Sequence, residues 1–225
     1  LAGRSTAAVG LAIAAGALVV VLVAVRPLLP PGTLAARRGL PAVIALRGAI
    51  AATFFATEIY LPYLLQEHYD VSAWLSGATL TVGALGWSAA SAVQARMGAR
   101  LDHVTALRIG AALLLAGVAG ELVATALILT PFLIGAFWVL AGAGMGLMFP
   151  RISSYVLAAS TEREQGGNSA AMSIADAVGG ATAISLAGLV FTSVGSAADL
   201  GAFVAALTLT TGVAVGAVLV SRRTA

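Results

Sequence analysis

Two carboxylates in this chain stand where a carboxylate is expensive. Glu58 and Asp176 each lie inside a long apolar run. An ionisable group at such depth costs several kcal/mol in a bilayer unless it faces protein or water, so it marks a pathway for protons, ions or solutes by default. Glu58 follows Arg47 by 11 residues, about 16 Å along a helix at ~1.5 Å per residue. That places it near mid-membrane as a proton-titrating or cation-binding group facing a cavity. The alternative is a carboxylate that serves only assembly, bound to a serine or an arginine of a neighbouring helix. Thr53, Thr57 and Tyr60 add a polar stripe beside it at helical spacing, and Pro62 permits a bend just beyond.

Asp176 continues the row Ser169, Ser173, Asp176, Gly180 and Ala183, spaced by three and four. Such a row is one helix face. Small and polar residues on one face are also what tight helix packing uses, so a structural hydrogen bond competes with transport at Asp176. Glu121, near the far end of its apolar run, reads as interfacial, its carboxylate reaching water. Arg151, after Pro150, reads as a contact to lipid phosphates or backbone carbonyls.

Other chemistries are excluded by what the chain lacks. All 12 basic residues are arginine, which removes lysine Schiff-base chemistry and with it a retinal-type photoreceptor. With no cysteine there is no disulfide, thiolate nucleophile or cysteine metal site. His68 and His103 fall in loops on opposite faces, so neither a helical metal pair nor a serine triad can be built from them. No enzyme, cofactor or metal centre is expected. Gly142, Gly144 and Gly146 lack the strand a nucleotide-binding loop needs, and close helix approach or flexibility explains them better.

The elements that must position these residues are membrane helices. The 225 residues are 60% hydrophobic and 9% charged, with a mean hydropathy of +1.01. A soluble domain carries about 25% charged residues. The expected fold is an all-α polytopic bundle of seven spans at 7–25, 42–65, 71–95, 104–127, 131–154, 168–191 and 201–220, each able to cross about 30 Å of hydrocarbon. Pro131 decides the break between the fourth and fifth, because proline starts helices but does not continue them. Eleven of the 12 arginines fall on one side of this topology, with Arg4 alone opposite, beside Glu67, Asp70 and Asp199. The positive-inside rule then puts the first residue outside and the last in the cytoplasm, and it accounts for the net charge of +3 without nucleic acid. Trp74 reads as an interfacial anchor; Trp87 and Trp138, deeper, read as facing either lipid or a cavity.

Three local patterns resemble the major facilitator superfamily. The stretch Leu40-Pro41-Ala42 to Leu46-Arg47-Gly48, running into Phe54-Phe55-Ala56-Thr57-Glu58-Ile59-Tyr60-Leu61-Pro62, is similar to the junction of central loop and seventh helix in actinobacterial drug-efflux members. Arg96, Gly98 and Arg100 match a degenerate second-half copy of the family's G-x-x-x-D-R-x-G-R-R loop. Ser91 replaces its first glycine and Ala95 its aspartate, so the gating ion pair of that aspartate is not expected. The run from Ala141 to Pro150 is similar to the glycine-rich tenth helix.

The resemblance covers nearly the whole chain as helices six to twelve. It implies a last helix of a preceding half (1–25), a central cytoplasmic loop (26–41) and a six-helix C-terminal half (42–225), with an N-terminal half missing upstream of Leu1. It further implies a bacterial inner-membrane transporter that exchanges protons for small apolar or drug-like substrates, with Glu58, Asp176, Tyr60 and Thr57 at the proton and substrate site. The expected partners are lipid, substrate, proton and the missing half. An uptake permease of the same superfamily, or a non-transporting seven-helix receptor or partner subunit, is the alternative.

Overall fold

The structure, a computed structural model, describes residues 16–224. Helix boundaries fall where local chemistry puts them. Pro131 begins a helix, as expected, and the Thr130 hydroxyl caps it by accepting the Phe132 N–H at 3.4 Å. Asp102 caps the preceding helix, its carboxylate accepting the Thr105 N–H at 3.1 Å. At the other end of that helix the chain turns sharply through Ile128, held at φ 50, and the Leu129 N–H returns to the Ala124 carbonyl at 2.8 Å. Asp70, also left-handed at φ 51, ends the first long helix.

Six long helices result: α1 (Leu40–Tyr69), α2 (Ala73–Met97), α3 (His103–Ala126), α4 (Pro131–Ala158), α5 (Gln165–Val194) and α6 (Leu200–Ser221). No strand occurs among the described residues. Each of the six spans expected beyond residue 41 coincides with one helix. Before them a shorter apolar helix (Gly16–Leu28) and a short turn (Thr33–Ala35) lead into α1; Arg4 and residues 7–15 of the first expected span lie outside the described residues.

Five of the six, all but α2, are long and apolar enough to cross a membrane. The 25-residue α2 is long enough too, but Ser76, Thr79, Thr81, Ser88, Ser91 and Gln94 dilute its apolar character. The architecture is that of a helical membrane bundle.

The helices form two groups whose main seam runs between α3 and α6. α4 packs between α2 and α3, α1 packs against α5 and α6, and α3 lies along α6 to join them. α1 is the most enclosed helix, and it also touches α2 and α4. Short connections make chain neighbours antiparallel, so the arginines gather at one end. There the Gly39 N–H donates to the Arg223 carbonyl at 3.1 Å, and the Arg151 guanidinium donates to the Gly98 carbonyl at 2.8 Å.

Glycine sets the spacing. A Cβ on Gly144 would stand 2.6 Å from the Gly110 carbonyl oxygen of α3, and one on Gly146 would overlap the Trp87 carbonyl of α2. α4 therefore touches α2 with Gly142 and Gly146, and α3 with Gly144, backbone against backbone. This is the close approach expected of these glycines, and lipid-exposed helices rely on it because lipid is as apolar as leucine. Trp138 is fully buried and stacks on Phe54 with centroids 4.4 Å apart. It faces neither lipid nor a cavity, correcting the sequence reading. Trp74, 80% exposed, stands where an interfacial anchor would.

Candidate functional site

The six helices bring two charged features onto α1, one near its arginine-bearing end and one further along. At the first, Arg47 is buried, only 4% exposed. Its Nε donates to both carboxylate oxygens of Asp176 on α5, at 2.6 and 2.7 Å. One terminal nitrogen, Nη1, donates to the Phe149 carbonyl at 3.0 Å and lies 3.3 Å from the Ser153 hydroxyl, both on α4. The guanidinium also covers the Phe149 ring, its central carbon 3.0 Å from the ring centroid. A planar cation with several donors suits this position, since it can bind a carboxylate, a carbonyl and an aromatic face together.

Backbone packing makes the pair possible. Beside Arg47, a Cβ on Gly48 would stand 2.9 Å from the Ala175 carbonyl oxygen, and one on Gly179 would overlap the Gly48 carbonyl. α1 and α5 thus touch directly on both sides of the ion pair. It is the one salt bridge among the described residues. The assembly reading of Asp176 is the one this geometry favours: the carboxylate binds an arginine of a neighbouring helix.

Glu58 is placed differently. α1 runs unbroken through Pro62, so the expected rise of about 16 Å from Arg47 holds. The carboxylate is half-buried and makes no hydrogen bond among the described residues. It belongs to a partly exposed stripe of α1 with Phe55, Ile59, Pro62, Tyr63 and Gln66, spaced by three and four. The stripe adjoins α5: Gly180 lies against Phe55, and Tyr63 meets the Phe191 ring at 5.9 Å.

Thr57 and Tyr60 take the next face of α1, turned inward. Thr57 is buried and gives its hydroxyl to the Thr53 carbonyl at 2.8 Å, while Thr53 bonds back to Ala49 at 2.9 Å. Tyr60 packs on Phe191, centroids 5.3 Å apart, with its hydroxyl beside Gly188. The two threonine hydroxyls are therefore satisfied within their own helix. Among the expected site residues, Glu58 presents an open face and Asp176 a paired one, and they do not meet.

Of the expected loop residues, Arg96 lies instead in the last turn of α2, while Gly98 and Arg100 begin and end the short turn that follows. Gly98 adopts φ 50, ψ −124, a conformation that a side chain would strain. Arg151 of α4 closes on this turn, donating from Nε to the Gln94 side-chain oxygen at 2.5 Å and from Nη2 to the Gly98 carbonyl. The carbonyl contact is one of the two expected for Arg151. Ser91, in the place of the motif's first glycine, donates to the Gly146 carbonyl at 3.0 Å and ties α2 to α4.

Glu121 overturns an expectation. Instead of reaching water it is fully buried, and neither carboxylate oxygen has a partner. The end of α3 remote from the arginines is covered: the Tyr69 hydroxyl at the end of α1 donates to the Ala124 carbonyl at 3.4 Å, and the turn after α3 folds back onto the same carbonyl. Five residues from a helix end is close enough to reach water only when that end is bare.

Sequence reasoning also missed Arg47, Phe149 and Ser153 as parts of one cluster. The available signal was one arginine and one aspartate at similar depth from the same end of the bundle. No metal-binding group of three acidic, histidine or cysteine residues occurs among the described residues. No family model, curated protein or solved structure matches the chain.

Proposed function

We propose that this chain forms a six-helix half, with one preceding helix, of a secondary active transporter of the major facilitator type that exports small apolar or drug-like compounds in exchange for protons. The observation that carries the reading is Glu58, a carboxylate with no partner among the described residues, midway along the central helix and set in an open stripe with Phe55, Ile59 and Tyr63. A stripe of this composition suits an apolar solute whose few polar contacts are set by one acid. Solute and proton would compete for that carboxylate, which couples their movements in opposite directions.

Arg47 and Asp176 fill a positioning role. Their contacts join α1, α4 and α5 near the arginine-bearing end, so that part of the unit moves as one body when two halves rock about a midplane site. Arg151, Gln94 and Gly98 do the same for the turn after α2. With the arginine-bearing end in the cytoplasm, the Glu58 stripe faces the second half across the transport path in a bacterial inner membrane.

The test is Glu58→Gln in the full-length transporter, assayed in inside-out vesicles with an imposed proton gradient. Proton-driven efflux of a lipophilic cation or dye is expected to fall to the background rate, while exchange of labelled for unlabelled solute continues. Unchanged gradient-driven efflux in the variant would remove Glu58 from the coupling step. A full-length protein that moves no solute in either direction, with or without a gradient, would favour the receptor or partner-subunit alternative.

A further inference from the structure

A small basic pocket opens where α3 meets the end of α6. It measures about 360 Å³ and is lined by Arg108, Val218, Ser221 and Arg222. Both arginines are exposed, and neither guanidinium has a hydrogen bond or a carboxylate within 4.0 Å among the described residues. The neighbouring Arg223 differs: its guanidinium donates to the Ala35 carbonyl at 3.4 Å, and its own carbonyl accepts the Gly39 N–H. Consecutive arginines thus do different work, one fastening the loop before α1 and the other left to the pocket.

The surroundings of the pocket are apolar. One turn along α3 from Arg108 stands the small, exposed Ala112, and on α6 the exposed Val215 and Leu219 run back from Arg222 at helical spacing. This makes a shallow apolar track whose arginine-bearing end carries two positive charges with no carboxylate partner among the described residues. A ligand that matches both parts has a phosphate at one end and hydrocarbon at the other. Arginine pairs with phosphate oxygens through two parallel N–H bonds, and basic pockets between membrane helices hold lipid headgroups in this way.

We infer that Arg108 and Arg222, which flank this pocket, bind the phosphodiester headgroup of an anionic phospholipid, whose acyl chain lies along Ala112, Val215 and Leu219; the Ser221 hydroxyl is already given to the Val218 carbonyl. The site belongs to the outer surface of the α3–α6 seam and is separate from Glu58 and from the Arg47–Asp176 pair. A bound lipid there would brace the seam that joins the two helix groups.

Native mass spectrometry of the full-length protein, released from nanodiscs containing phosphatidylcholine and phosphatidylglycerol, tests this directly. Retention of one phosphatidylglycerol is expected. It should weaken about 30-fold in Arg108→Ala/Arg222→Ala and about fivefold in Arg222→Ala alone, at roughly one such step per arginine. Arg38→Ala/Arg163→Ala removes two arginines near the same end of the bundle and should retain the lipid. Equal retention in the Arg108/Arg222 double variant would overturn the site. Equal loss in both double variants would replace it with a diffuse surface field. Displacement of the lipid by millimolar inorganic phosphate would make it a site for a soluble anion and overturn the lipid assignment.

Discussion

Removing Asp176 should harm this protein far more than removing its whole ion pair. In Asp176→Leu, Arg47 keeps its place beneath α4 but loses the carboxylate that neutralises it. The Arg47 side chain is 5% exposed and the Asp176 side chain 22%, so water offers little screening in exchange. Breaking a buried pair on one side costs about 3–5 kcal/mol, whereas replacing both partners with apolar groups of similar volume is often neutral or stabilising. At roughly 2–4 °C per kcal/mol for a chain of this size, Asp176→Leu is expected to melt about 6–20 °C lower. Arg47→Leu/Asp176→Leu should recover most of that loss. Asp176→Asn, which can still accept a bond from Nε, should fall between. The assay is thermal unfolding of the purified protein in detergent, followed by intrinsic tryptophan fluorescence, with the parent, Arg47→Leu, Asp176→Leu and their double variant forming a double-mutant cycle. If the double variant melts as low as the sum of the two single variants, the charges are not coupled and the pair does not hold α1 to α5.

Glu121→Leu should raise the melting temperature, because it removes two buried oxygens with no partner, each unsatisfied group costing about 1–3 kcal/mol; a lower melting temperature would mean that the carboxylate has a partner. Gly144→Ala should lower stability by about 1–3 kcal/mol, since its Cβ meets backbone at 2.6 and 2.7 Å. Gly212→Ala, in a helix with nothing within 4 Å, should gain about 0.5–1 kcal/mol from backbone entropy; a shared sign in melting experiments would refute the spacing argument. Two carboxylates that accept bonds from turn residues give a pH dependence: Asp102, which caps α3, and Glu164, which closes the turn before α5 on Thr161. The Thr105 backbone bond holds Asp102 below its ordinary value, and the Thr161 hydroxyl and N–H hold Glu164 below its own. Their stabilisation is complete above the unfolded values near pH 4 and disappears as pH falls through the lower folded ones. Asp102→Ala/Glu164→Ala should therefore melt below the parent at pH 6, with the gap closing in acid; a gap that persisted at pH 2 would assign the effect to packing.

The parts of this fold that could be read from sequence were those governed by one segment at a time. Apolar runs, Pro131 and the arginine-bearing loops located six helices, because length and hydropathy are properties of the run itself. Contacts between runs were harder. Arg47 resembled its loop neighbours Arg37 and Arg38, and only the approach of α5 at Gly48 and Gly179 shows it as an interior cation. Glu121 was misjudged for a related reason: distance from a helix end measures access to water only if no other helix covers that end. The rise from Arg47 to Glu58 was legible because it follows from counting residues along one unbroken helix.

The Arg47–Asp176 bond also sets a timetable for assembly. Its partners are 129 residues apart, so at a synthesis rate of about 5–20 residues per second Arg47 is made roughly 6–26 s before Asp176 exists. During that interval α1, destined for the centre of the bundle, has neither α5 nor α6 to lean on. Arg47 is the eighth residue of its helix, near enough to the interface for its long side chain to reach water or lipid headgroups while it waits. The innermost helix is thus the first of the six to be made, and its buried face stays uncovered until both α5 and α6 have followed.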